Sequence, residues 1–369
     1  MTGDRRPFAL YADERGFLLM DWKTLYDRYK GQLEDFWGRR ENGPRFERAF
    51  TLFGRPGRVT SNDEGLLAAV GYSLPLFSSA PTIDRPPFAI HLAARPMPLD
   101  PGPPPANLFA TTRYSGYGEW LSIQTGGWGH CQVDLAAGRA IAVLAPELAG
   151  RPVLISQGLL NTIFTNLVIG SGFGMLHCTG LLRGNRALLL MAPHNSGKST
   201  TALRLVLAGY RLLSDSQIYV SPDSEALQLL GFPVGKVKLR RDMVAEFPQL
   251  RPLLTAEPVR DETKYGVDLR RLDPDLVCTT AVTPEAIDLC LLRRHDEAET
   301  TLAPVAPARL WEAVMANSLF YDTAETWQRN LAQIERLVAR ASAHHLTVGS
   351  DPAGIVTTVN KFFDTNCTN

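Results

Sequence analysis

The chain has no excess of either charge. Its 369 residues carry 38 Lys and Arg against 38 Asp and Glu, a formal net charge of zero. That balance argues against a general nucleic-acid or membrane-surface binder, since both draw on a net basic field. Cysteine is sparse and scattered. Cys131, Cys178, Cys278, Cys290 and Cys367 form no pair at the close spacing of a zinc or redox motif, and their odd number fits poorly with a disulfide framework. No eighteen apolar residues run together, which removes the simple signature of a membrane span. The opening MTGDRRPFALYADERGF lacks the apolar core of a signal peptide. These absences lead us to expect a cytoplasmic protein in a reducing compartment. What is present, 45% hydrophobic and 21% charged residues, is that of an ordinary soluble globular chain. Its length suggests two domains.

The first half reads as an α/β domain. TLYDRYKGQLEDFWGRR has apolar residues at helical spacing (Leu25, Tyr26, Tyr29, Leu33, Phe36, Trp37), and DEGLLAAVGYSL predicts a second helix. PFAIHLAA reads as a strand. RPMPLDPGPPPA, with six prolines, is an irregular connection. WLSIQ, HCQVDL and AIAVLAP, separated by short glycine-containing stretches, predict an antiparallel meander. In SQGLLNTIFTNLVIG the period changes: Leu159, Leu160, Ile163, Phe164, Leu167 and Val168 make one helical face, and Gly170 can end the helix. We therefore expect a boundary near residue 150, with an N-terminal α/β domain (1–150) serving substrate recognition and a second domain (151–369). From 175 onward strands and helices alternate. PARLWEAVMANSLF, TAETWQRNLAQIERLVARASA and PAGIVTTVNKFF read as helices around the strand AIDLCLLRR.

The chemistry concentrates at APHNSGKST, residues 192–200. ALLLM before it is apolar without alternation, as in a strand buried on both faces of a largely parallel sheet. STTALRLVLAG after it has Leu203, Val206 and Leu207 on one face and Gly209 at a C-cap position. A glycine–lysine pair at a strand–loop–helix junction is the context of a phosphate-binding loop. Asn195, Ser196, Gly197, Lys198, Ser199 and Thr200 are the candidate nucleotide-binding residues. Gly197 lets the backbone approach phosphate oxygens, loop amides and the helix N-terminus present positive charge, Lys198 supplies a full charge, and Ser199 offers an oxygen to Mg²⁺. Ala192 stands where the motif has glycine, which is tolerable if its φ is negative.

Two neighbours extend the site. RGNR between apolar runs predicts a hairpin centred on Gly184 and Asn185, pairing residues whose numbers sum to 369. That register puts His177 opposite Ala192, so His177 reads either as a hydrogen-bonded strand histidine or as a phosphate contact. Downstream, RLLSD places Asp215 at a strand exit, where a carboxylate can hold Mg²⁺ or accept a proton from an attacking hydroxyl. Lys236, Lys238, Arg240 and Arg241 form either a phosphate clamp or a solvated edge strand. KYGVDLRRLD, with Lys264 and Asp268, reads as a surface loop.

LHCTGLLRGNRALLLMAPHNSGKSTTALRLVLAGYRLLSD resembles the core of the HPr kinase/phosphorylase family through His177, the loop 192–200 and Asp215. The resemblance spans about residues 155–360. It implies an α/β, P-loop nucleotide-binding core related to phosphoenolpyruvate carboxykinase, preceded by a smaller α/β domain with the meander. It further implies ATP and Mg²⁺ as cofactors and transfer of the γ-phosphoryl group to a serine hydroxyl of a protein or ribosomal peptide. Lys198, Asp215 and His177 would be catalytic, and Ser199 and Asp215 would hold the metal. Members form rings, which leaves an oligomer among the expectations. Ser216 stands where the family has a second aspartate, and His194 and Asn195 where it has small residues. Two other readings stay open: a catalytically weak nucleotide-sensing module and a small-molecule kinase.

Overall fold

The computed structural model describes residues 11–12, 18–19, 46–74, 88–97, 101–193, 195–222, 226–232, 235–255, 263–318 and 324–366. The chain divides into two compact units, Met1–Pro44 and Arg45–Asn369. In the first, Tyr11–Ala12 pairs antiparallel with Leu18–Leu19. The helix expected over TLYDRYKGQLEDFWGRR lies outside the described residues, as does His194.

The second unit begins with a seven-stranded mixed sheet. Its strands are β1 (Phe46–Leu52), β2 (Arg55–Ser61), β3 (Phe88–Ala94), β4 (Thr112–Tyr117), β5 (Trp120–Thr125), β6 (Gly129–Asp134) and β7 (Arg139–Leu144), in the order β1-β2-β3-β7-β6-β5-β4. Strands β4 to β7 form the expected antiparallel meander. Helix α1 (Glu64–Ser73) follows β2, capped by the Asp63 carboxylate, which accepts from the Leu66 amide at 3.0 Å. The described parts of the proline-rich connection are irregular, as expected. A helical segment then runs from Pro152 through a π-helical turn at Ser156–Leu160 into α2 (Asn161–Gly170). By length and composition alone Pro152–Gly170 could cross a membrane. Here Leu159, Leu160, Ile163, Phe164, Leu167 and Val168 all enter the first hydrophobic core, packed with Phe50, Ile90 and Ile123 of the sheet. That core draws on residues from both sides of position 150.

Next come β8 (Gly174–Leu176), β9 (Thr179–Arg183), β10 (Arg186–Met191), α3 (Lys198–Leu207), β11 (Arg211–Ser214), β12 (Ile218–Val220), β13 (Leu229–Gly231), β14 (Lys236–Arg240), β15 (Lys264–Asp268), β16 (Ala286–Arg294), β17 (Thr301–Pro304), α4 (Pro307–Asn317), α5 (Ala324–Val338), β18 (Ala341–Val348) and α6 (Pro352–Asn366). A six-stranded sheet has the order β11-β9-β10-β16-β18-β17. The alternation along β10 explains its unbroken apolar run. Leu188 and Leu190 enter the second core with Ala202 and Val206 of α3 and Ile355 and Val359 of α6. Ala187, Leu189 and Met191 enter the third with Leu310 and Val314 of α4 and Ile334 and Leu337 of α5. Each buried leucine contributes about 2 kcal/mol relative to exposure, and a strand covered on both faces has no room for polar alternation.

Three sequence expectations change here. The sheet is mixed rather than largely parallel: only β10–β16 and β16–β18 run parallel, and β10 also belongs to an antiparallel hairpin with β9. The helix expected through Ala343 ends at Val338, and Ala341–Val348 is a strand held between β16 and β17. Its alanines suit a helix, but two rows of backbone hydrogen bonds override that preference. Among the described residues from β11 to β15 the chain forms strands and short 3₁₀ segments rather than a strand–helix alternation.

Candidate functional site

The hairpin β9–β10 has the register read from the sequence. Leu182 faces Ala187 and Arg183 faces Arg186 across a two-residue turn with Gly184 at φ 57°. The ladder stops at Thr179↔Leu190, however, and the chain bends at Cys178. His177 is therefore not paired with Ala192. It is half-buried, and its backbone N–H donates to the Asn317 carbonyl at the end of α4 (2.9 Å). The physical reason is the turn from β8 into β9, whose two strands belong to different sheets.

The loop after β10 leads directly into a helix, the strand–loop–helix order that the sequence pattern predicts. Among the described residues outside glycine, only Phe53 and Asn195 have positive φ, so Ala192 fits without a glycine's freedom. Gly197 adopts φ 93° and caps α3, which starts at Lys198. Asn195, at φ 64°, is a residue type that tolerates the left-handed region. Its Oδ1 accepts from the Lys264 ammonium at 2.9 Å. Ser196 Oγ donates to the Pro193 carbonyl (2.8 Å). The Lys198 ammonium turns back over the loop and donates to the carbonyls of Ala192 and, at 3.3 Å, Pro193. Thr200 lies in the first turn of α3, half-buried.

Asp215, directly after β11, closes on the same point. Its Oδ2 accepts from Ser199 Oγ at 3.1 Å and from the Lys238 backbone amide at 3.0 Å. Thr179 Oγ1 donates to the Asp215 carbonyl at 2.7 Å and lies 3.4 Å from Oδ1. Burial pushes the Asp215 carboxyl above the ordinary carboxylate range, against the pull of Lys238, Ser199 and Lys198. Burial likewise lowers the Lys198 ammonium from its usual value. Asp215 opposes that shift and the charge of Lys264 adds to it. The buried thiol of Cys178 lies within electrostatic reach of Lys198, so the bend beside His177 borders the site.

The structure thus joins Lys198 and Ser199, at the start of α3, with Asp215, just after β11, in one polar cluster at the carboxyl ends of β10 and β11. Sequence reasoning missed Thr179, the Lys238 amide and Lys264, which was read as surface. Lys238 acts here through its backbone, which no side-chain pattern can show. Lys264 sits on β15, paired with the basic strand β14 in the register Arg240↔Lys264, and reaches the loop across that hairpin.

The donor set fits a magnesium ion. Mg²⁺ is held by one or two carboxylate or hydroxyl oxygens, with phosphates and water completing its shell. Asp215 Oδ2 and Ser199 Oγ are hard oxygens already in contact. Among the described residues no group of three or more His, Cys, Asp or Glu is gathered as an all-protein metal cage.

No family model matches the chain, and no curated protein does. Among solved structures, the chain is similar to the HPr(Ser) kinase/phosphatase from Coxiella burnetii. The TM-score is 0.29 and the identity 15%, over 52% of this chain and 97% of that one.

Proposed function

We propose that the protein is an ATP- and Mg²⁺-dependent kinase that transfers the γ-phosphoryl group to a hydroxyl, a serine of a protein or ribosomal peptide. The observation that carries the reading is the contact of the buried Asp215 carboxylate with Ser199 beside Lys198, on a strand–loop–helix junction. The loop amides and Lys198 cradle the phosphate chain. Ser199 and Asp215 hold Mg²⁺, which when bound neutralises charge on the β- and γ-phosphates. Asp215 also suits proton acceptance: a carboxyl whose pKa is raised by burial is a better base than an exposed one. The acceptor oxygen bonds to the γ-phosphorus, the bond to the β-phosphate oxygen breaks, and the hydroxyl proton passes to Asp215. His177 borders the cluster and is assigned to the phosphate being moved by the sequence resemblance alone. The seven-stranded layer is the substrate-recognition portion in this proposal.

The test is transfer of label from γ-labelled ATP to serine-containing peptides, with Mg²⁺ present and Lys198→Ala as the control. Lys198→Ala should abolish transfer. Transfer that survives the substitution would falsify the assignment. Ser216 motivates a second reading, a nucleotide sensor without turnover, because Asp215 lacks an adjacent second acid. Under that reading the protein binds ATP without consuming it, and Ser216→Asp raises hydrolysis. Brisk turnover by the unmodified protein excludes it.

A further inference from the structure

Arg294 stands at the opposite flank of the loop, and we infer that it stacks on the nucleobase, so that the nucleotide lies with its base over Arg294 and its terminal phosphate at Lys198 and Asp215. The inference rests on the reading of the loop as a nucleotide site and adds its polarity and a base-binding residue.

The placement follows from the sheet. Strand β16 runs parallel to β10 in the register Met191↔Leu291 and continues to Arg294. Its last three residues therefore pass alongside the start of the loop, at the carboxyl ends of adjacent parallel strands, where α/β folds bind ligands. A Cβ placed on Gly197 would lie 3.2 Å from Arg294 Cδ and 4.0 Å from Nε. The arginine stem thus crosses the last residue of the loop.

The charged groups around the loop divide into two sets. The Asp215 carboxylate and the Lys264 ammonium flank Lys198 on one side. On the other, the charge of Arg294 reaches Arg204. Helical spacing agrees, since Gly197, Thr200, Thr201 and Arg204 fall along one face of α3. A phosphate chain whose end meets Lys198 and Asp215 therefore leaves the loop past Gly197, toward Arg294.

The two arginines that end β16 differ in what they do. Arg293 Nε donates to Thr347 Oγ1 at 2.8 Å and ties β16 to β18. Arg294 is exposed and makes no ion pair among the described residues. A guanidinium is planar, weakly hydrated and able to stack on an aromatic face, which a nucleobase offers and inorganic phosphate does not.

The experiment compares ATP with inorganic tripolyphosphate, each titrated calorimetrically with Mg²⁺ into the full chain. Arg294→Ala should weaken ATP binding by about tenfold or more and leave tripolyphosphate unchanged. Arg294→Lys, which keeps the charge but loses the plane, should fall between. Lys198→Ala should weaken both ligands. The side chain is exposed, so the melting temperature of the Arg294 variants should match that of the unmodified protein. Unchanged ATP affinity in Arg294→Ala, or an equal loss for both ligands, overturns the inference and leaves the nucleotide reading standing. An unmodified protein that binds neither ligand removes the nucleotide reading and this inference together.

Discussion

Gly231 offers the sharpest mechanical test of how Asp215 is held. It ends β13, opposite Ile218 in the ladder with β12, and its α-carbon faces the backbone of β11. A Cβ added there would lie 1.7 Å from the Leu213 carbonyl oxygen, 2.6 Å from its carbon and 3.1 Å from Ser214 Cβ. The atoms in the way are backbone, so no side-chain rotation relieves them. Ordinary contact needs roughly 3.4 Å, so β11 must retreat by something like 1.5 Å just before Asp215. The hydrogen bonds of Asp215 Oδ2 to Ser199 and Lys238, now 3.1 and 3.0 Å, would then pass the limit of hydrogen bonding. Each involves a charged acceptor worth about 1.5–3 kcal/mol. With overpacking added, Gly231→Ala should destabilise the protein by at least about 3 kcal/mol. If the fold survives, a displacement of about 1 Å at the acid should lower the proposed phosphoryl transfer by about a hundredfold. Gly150→Ala is the control, because its Cβ would meet nothing within 4 Å. It should change stability by no more than about 0.5 kcal/mol. Urea unfolding of both variants, followed by label-transfer rates, measures the two effects. If Gly231→Ala unfolds at the same urea concentration as Gly150→Ala and retains full activity, β13 does not press on β11 as described.

Two further outcomes test other parts of the argument. Asp288, fully buried on β16, pairs with Arg186 at 2.5 Å and lies 3.4 Å from His344 Nε2. Burial alone would raise its carboxyl, but contacts with His344 and Arg186 outweigh it and hold the group below the ordinary carboxylate range. The ionised form then contributes stability that is present above the unfolded pKa, about 3.9, and is lost as pH falls through the lower folded value. Asp288→Asn should cost about 3–5 kcal/mol at pH 7 and make stability fall less steeply below about pH 4, which urea titrations across that range check. At the loop, Asn195→Ala should cost about 1 kcal/mol, since alanine does not readily hold φ 64°, whereas Asn195→Gly, which holds that φ freely and loses only the same exposed bond to Lys264, should stay near neutral in thermal melts.

How much of this was legible without coordinates depends on how local the signal is. The pair Gly197–Lys198 announced itself because an apolar strand, a glycine turn and a helical period all fall within about twenty neighbouring residues. The hairpin register followed from one turn, and the exit of Asp215 from β11 followed from the run RLLSD. His177 failed because its expected partner lay two residues beyond the end of the ladder, where the chain changes sheets. Lys264 and the Lys238 amide gave no signal, since nothing in their own neighbourhoods points at Asn195 or Asp215, their partners far back along the chain.

Sequence alone determined the pieces: which segments pair as hairpins, where a buried strand turns through a glycine loop into a helix, and that one acid follows at a strand end. Turn chemistry and hydrophobic period act between neighbours along the chain, so they survive without a fold. Tertiary structure alone decided which strand lies beside which. It set β16 against β10, bringing Arg294 over Gly197, and drew Ala341–Val348 into the sheet against its helical preference. It also pressed Gly231 on the strand that carries Asp215. Those choices depend on burying both faces of a six-stranded sheet at once, a condition that no window of the sequence contains.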